Sequence, residues 1–179
     1  MRGDRTMRDL LTWRGGGTDL WPLLRDPAAL DAVTASLAEP FAGPRTELSS
    51  ARIDLVVGPD PGGLLLGPLV AQRLGVPFAP VCRDRRFFFQ GSHRTVEADG
   101  LVMHHEALSA GTRALLVDDW SETGGTVRGV HTMVTGAGAR LVAIAFLVDS
   151  LPEQVRESLR DTGVRVHALA TVREWGSGA

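Results

Sequence analysis

The residues best suited to chemistry lie in the stretch LLVDDWSETGGTVRG, residues 115–129. Asp118 and Asp119 end an apolar run, and Thr123, Gly124, Gly125 and Thr126 follow after Trp120, Ser121 and Glu122. The two glycines let the backbone turn tightly, so that the N–H groups of residues 122–126 converge on one anion where the next helix starts. Thr123 and Thr126 add hydroxyl donors. The acids cannot hold that anion, because like charges repel; they suit sugar hydroxyls or a divalent cation. An anion on one side and a diol on the other describe a ribose 5-phosphate.

A second glycine-rich turn, VGPDPGGLLLG, spans residues 57–67, with Asp60, Pro61, Gly62 and Gly63 at its centre. At a strand end before a helix, it supplies donors for another anion. A third stretch, CRDRRFFFQGSHR at 82–94, is basic, aromatic and irregular. It reads as a flexible loop or a β-hairpin, with Arg83, Arg85, Arg86 and Arg94 as its cations. Phe87, Phe88 and Phe89 either cover a ligand or pack at an interface between subunits.

These residues need a frame, and the chain supplies one by alternation. IDLVVG, FAPVC, RALLVDD, RLVAIAFLVD and VRVHALATV read as strands, and GLLLGPLVAQRLG, TVRGVHTMVTGAG and PEQVRESLRDTG as the helices between them. Such alternation predicts an α/β fold with a mostly parallel central sheet flanked by helices. Nearly continuous apolar runs are expected when both faces of a strand are buried. Upstream, Leu30, Val33, Leu37 and Phe41 recur at helical spacing behind an Asp26 cap and Pro27, predicting a helix over one sheet face. In an open parallel sheet, ligands bind beyond the carboxyl ends of strands, where residues 118–126 fall.

Composition narrows the class. A net charge of -2 lacks the basic excess of a nucleic-acid binder, and the longest apolar runs are about half the roughly 20 residues needed to span a bilayer. One cysteine, Cys82, excludes an intramolecular disulfide and a cysteine-based zinc cluster and fits a cytoplasmic protein. The sequence has no lysine, so every fixed positive side chain is arginine.

The order apolar run, DD, three variable residues, TGGT resembles the phosphoribosyl pyrophosphate motif of the type I phosphoribosyltransferases. DLWPLLRDPAAL followed by RIDLVVGPDPGGLLLGPLVAQRLGVPFAPV is similar to the adenine branch of that family. The resemblance implies one domain over residues 1–179, with a small hood from about 1–25 and the C-terminal region, and a flexible loop. It implies transfer of ribose 5-phosphate from phosphoribosyl pyrophosphate to a nitrogen base, adenine or a related purine, with magnesium required and pyrophosphate released. It further implies a homodimer in which neither nucleic acid nor membrane is a partner.

By the same resemblance Asp118 and Asp119 meet the ribose hydroxyls and also offer oxygens to magnesium, and residues 122–126 hold the 5-phosphate with Trp120 and Ser121 beside them. Asp60, Pro61, Gly62, Gly63 and Arg83 face pyrophosphate, and Arg83 joins the acids as a catalytic candidate. The corresponding turn in the family contains a cis peptide; before proline that isomer costs only about 0.5–1 kcal/mol, so a cis Asp60–Pro61 bond is predicted.

Two departures stand out. Gly62 occupies the place of a family arginine, and Val102 in LVMHHEAL that of an acid facing the base. His104, His105, Glu106 and Glu97 are alternatives to that acid; strand alternation puts Val102 and His104 on one face and His105 on the other. The base pocket is expected around Trp120, Val102 and Asp19, while Trp21 reads as a core residue and His131 and His167 as solvent or packing residues. The altered base side also leaves open a non-catalytic nucleotide-binding homologue, or a non-purine acceptor.

Overall fold

The structure is a computed structural model that describes residues 12–14, 17–43, 52–84, 95–121 and 123–171. Five strands build the central sheet: β3 (Leu55–Pro59), β4 (Phe78–Val81), β7 (Arg113–Trp120), β8 (Arg140–Asp149) and β9 (Arg165–Thr171). They pair in the order β4-β3-β7-β8-β9, every pair parallel, as the alternation predicted. The chain winds outward from β3 to β4, then returns to place β7 on the other side of β3. The order therefore reverses between β3 and β7, the kind of switch point where a crevice opens at the carboxyl ends of the strands.

Alternation of side chains across these strands divides the core. Val57, Leu116, Ile144 and Phe146 face one side, where α4 (Gly125–Gly136) and α5 (Glu153–Asp161) pack. Val56, Leu115, Val117, Ala143 and Ala145 face the other, covered by α2 (Pro27–Ala38) and α3 (Gly62–Leu74). The Asp26 side chain caps α2 by accepting from the N–H groups of Ala28 and Ala29, as its sequence implied. Arg73 of α3 donates to Thr34 Oγ1 of α2 at 3.1 Å and ties the two helices together. At the sheet end away from the crevice, Arg113 grips Asp54 with two side-chain bonds of 2.7 Å. That guanidinium holds the Asp54 carboxyl below its ordinary value.

The smaller elements are a hairpin of β1 (Thr12–Arg14) and β2 (Gly17–Asp19), a one-turn helix α1 (Trp21–Leu24), and a second hairpin of β5 (Thr95–Ala98) and β6 (Leu101–His104). Asp99 and Gly100, both with positive φ, make the two-residue turn of that second hairpin. Two expectations are corrected here. Trp21 is 67% exposed, because a single turn of helix has few inward positions and Leu23 takes one. His105 does not continue the alternation of β6, since the strand ends at His104 and a 3-10 turn over His105–Ala107 begins.

Candidate active site

The acid pair closes β7, and strand geometry sends its two members into different surroundings. Asp118 is only 7% exposed and accepts the backbone N–H of Asp119 at 2.9 Å. Burial and the neighbouring carboxyl of Asp119 push its own carboxyl well above the ordinary carboxylate value. Asp119 is half-buried, and its Oδ1 accepts the N–H of Trp120 at 3.0 Å. Trp120, also half-buried, pairs with Val148 in the sheet.

Beyond the pair, the chain turns into α4. Gly124 is the N-cap residue, with φ of 73°, and offers no side-chain cap of its own; the Thr123 hydroxyl accepts the Gly125 N–H in a long bond of 3.4 Å. A left-handed residue here is strained for any side chain but glycine's, and a Cβ would lie 2.9 Å from both methyls of Val155. The first N–H groups of α4 thus face the crevice beside the Thr123 and Thr126 hydroxyls, a ready anion site. Three residues support the loop from behind, and sequence reasoning missed all three. Arg128 donates to the Thr123 carbonyl at 3.2 Å, Ser150 Oγ to the Ser121 carbonyl, and Val155 packs under Gly124. Only Arg128, one helical turn into α4, left a signal in the sequence.

The opposite wall comes from β3 and β4. The Asp60–Pro61 peptide is cis, as predicted. Asp60 Oδ2 accepts the N–H of Arg83 at 3.1 Å, and its Oδ1 is buried with no partner. Arg83 then reaches across the crevice, and its Nη2 lies 3.3 Å from Thr126 Oγ1. One cavity of about 240 Å³ is lined by Asp60, Pro61, Arg83, Asp118, Asp119 and Trp120, and continues along Ser121 and residues 123–126. Gly62 and Gly63 are buried directly behind it.

Other candidates sit further out. Val102 is buried on β6, exchanging backbone bonds with Cys82. Asp19 is exposed and accepts the N–H of Trp21 at 3.0 Å. Neither lines the cavity. Glu97 is exposed on β5, and His104 Nδ1 faces the N–H of Glu106 at 3.3 Å. Glu122, and the loop bearing Arg85, Arg86, Phe87, Phe88, Phe89 and Arg94, lie outside the described residues. A larger cleft of about 440 Å³ between α4 and α5 contains no carboxylate and borders the support residues Arg128 and Val155.

Comparison with known proteins agrees with this geometry. The family model of the phosphoribosyl transferase domain matches residues 23–172. The adenine phosphoribosyltransferase of Methylococcus capsulatus is 34% identical over 155 residues, 84% of this chain and 85% of that protein. That of Thermobifida fusca is 33% identical over 176 residues, 94% and 95% of the two chains. Among solved structures, the adenine phosphoribosyltransferase of Rhodothermus marinus superposes with a TM-score of 0.75 at 25% identity, covering 95% of this chain and 98% of that one. The Trypanosoma brucei enzyme, in complex with AMP, pyrophosphate and ribose-5-phosphate, gives a TM-score of 0.79 at 16% identity, covering 97% and 81%. A parallel sheet whose switch point gathers an acid pair, a glycine-led helix and a second glycine turn, matched over this length, places the chain in the phosphoribosyl transferase domain family.

Proposed function

We propose that the protein transfers ribose 5-phosphate from phosphoribosyl pyrophosphate to a purine base, with adenine as acceptor, and releases pyrophosphate. The observation that carries this reading is the single cavity in which Asp118 and Asp119 stand between the α4 N-terminus and the wall formed by Asp60, Pro61 and Arg83. The 5-phosphate is assigned to the N–H groups of residues 122–126 and the Thr123 and Thr126 hydroxyls. The ribose hydroxyls go to Asp118 and Asp119, and pyrophosphate to the turn through Gly62 and Gly63 with Arg83. The base lies toward Trp120, the one aromatic residue that lines the cavity among the described residues.

In the reaction the bond from the anomeric carbon to pyrophosphate breaks as a base nitrogen attacks from the opposite face, and the proton lost by the base passes to solvent or to the released pyrophosphate. Positive charge grows on the ribose ring and negative charge on the departing oxygen. The Asp119 carboxylate beside the ring stabilises the first, and the Arg83 guanidinium stabilises the second. The donor set fits magnesium carried in by the substrate. Among the described residues no three His, Cys, Asp or Glu side chains form a cation cage, so Asp118 and Asp119 would offer oxygens to an ion otherwise held by the substrate. When bound, the ion supplies Lewis-acid polarisation of the pyrophosphate.

The reading extends to a single phosphoribosyltransferase-like domain over residues 1–179, acting as a cytoplasmic homodimer. No described helix is long and apolar enough to cross a membrane, and the one cysteine is a buried free thiol pushed up to about 11 by burial, with Asp60 and Asp84 adding to the shift. The direct test is chromatography of a mixture of the protein, adenine, phosphoribosyl pyrophosphate and magnesium. AMP should accumulate with time. Tight binding of AMP without its formation would instead favour a non-catalytic homologue, a reading supported by Arg83 being the one cation among the described cavity residues.

A further inference from the structure

The two halves of the cavity touch at Gly62. A Cβ built on this residue would overlap Oδ1 and Cγ of Asp119 and lie 2.9 Å from its Cβ. The Asp119 carboxylate thus occupies the volume that a side chain at 62 would fill. It is fixed there by the Trp120 N–H, which donates to Oδ1. Backbone conformation does not explain the glycine, because Gly62 is helical and absent from the residues with positive φ. The demand is for space.

The contact also serves α3. This helix starts at Gly62 with Pro61 as N-cap, no side-chain cap and no acid in its first turn. Its exposed N–H dipoles favour a nearby negative charge. β7 supplies it, since the Asp119 carboxylate lies across Gly62. This acid on the ribose side is therefore braced on the turn assigned to pyrophosphate.

We propose that Gly62 is a positioning residue: by lacking a side chain it lets Asp119 lie on the first turn of α3, and so sets the pose in which Asp119 meets ribose. Any side chain at 62 turns the carboxylate out of that pose. The ribose role of Asp119 rests on the proposed function; the contact itself does not.

The test is a double-mutant cycle of Gly62→Ala, Asp119→Gly and the two combined, read in two ways. Thermal melting without ligand reports the contact, and calorimetric titration with AMP reports its consequence. Gly62→Ala should lower the melting temperature in the parent protein and have little effect when Asp119→Gly is present. It should weaken AMP binding about tenfold, an interaction of the size expected between touching residues, and add nothing to the loss caused by Asp119→Gly. Equal melting losses in both backgrounds would overturn the contact. Coupled melting with unchanged AMP affinity would overturn the positioning role. A parent protein that ignores AMP would overturn the ribose reading, while the melting cycle still judged the packing. If Gly62→Ala does not fold, recovery of folding in the combined variant supports the proposal and failure to recover refutes it.

Discussion

Adjacent residues on a strand face opposite ways, and Asp118 and Asp119 differ accordingly. Asp118 turns its carboxyl to the N–H of Asp119, inside the protein. Asp119 keeps more of its surface for a ligand. Asp119→Asn is therefore expected to weaken phosphoribosyl pyrophosphate binding about tenfold with little loss of stability, as titration calorimetry and melting would show. Asp118→Ala leaves the part-buried Asp119 N–H without its acceptor and should lower stability by about 1–3 kcal/mol, measured by urea unfolding, whereas Asp118→Asn can still accept and should lose less. Arg83→Ala should reduce turnover about 100-fold and AMP affinity far less, because a departing pyrophosphate gains most from the guanidinium in the transition state. Equal losses in the two measurements would remove Arg83 from the pyrophosphate side.

At the scale of elements, the turn from Ser121 through Gly124 depends on what lies beneath it. Gly124→Ala combines a left-handed backbone with a collision against Val155, so it should cost about 1–2 kcal/mol in stability and weaken nucleoside monophosphate binding. The helix carrying Val155 is anchored where Arg156 donates to the buried Asp149 at 2.6 Å, while Asp149 also accepts the Leu151 N–H. Asp149→Ala should cost about 2 kcal/mol by denaturant unfolding. The main strands and helices were legible in the sequence because burial on both faces makes long apolar runs, and because Asp26 and Pro27 mark a helix start. The β1–β2 hairpin was not legible, since three-residue strands carry no measurable period. Trp21 misled because hydrophobicity predicts burial only where the element has a face to bury. The acid pair and glycine loop were legible as a local pattern. Ser150 and Val155 were not, because their contacts join distant segments and only the folded sheet brings them together.

For the molecule as a whole, the sheet order decides where chemistry can occur. Its reversal between β3 and β7 sets the glycine turn after one strand against the acid pair of the other, and each half is then shaped by the other's volume. Far from that crevice, His167 of β9 faces the Ser36 carbonyl at 3.2 Å and meets Phe41 edge-on. Burial lowers its pKa below the ordinary 6.5, against smaller opposing effects of the Ser36 carbonyl and Glu39. The unfolded chain therefore binds the proton more readily, and the stability from neutral His167 is present above pH 6.5 and lost as pH falls toward the lowered value. Melting temperatures from pH 7 to 5 should fall more steeply in the parent protein than in His167→Gln. The central claim concerns the whole cavity, and pyrophosphate release from phosphoribosyl pyrophosphate with magnesium tests it most directly. Adenine, hypoxanthine, guanine, xanthine, uracil and orotate would be compared with a control lacking base. Release that requires adenine and vanishes in the Asp118→Asn/Asp119→Asn variant is the predicted result; no release with any base, or release that survives loss of both carboxylates, would contradict it.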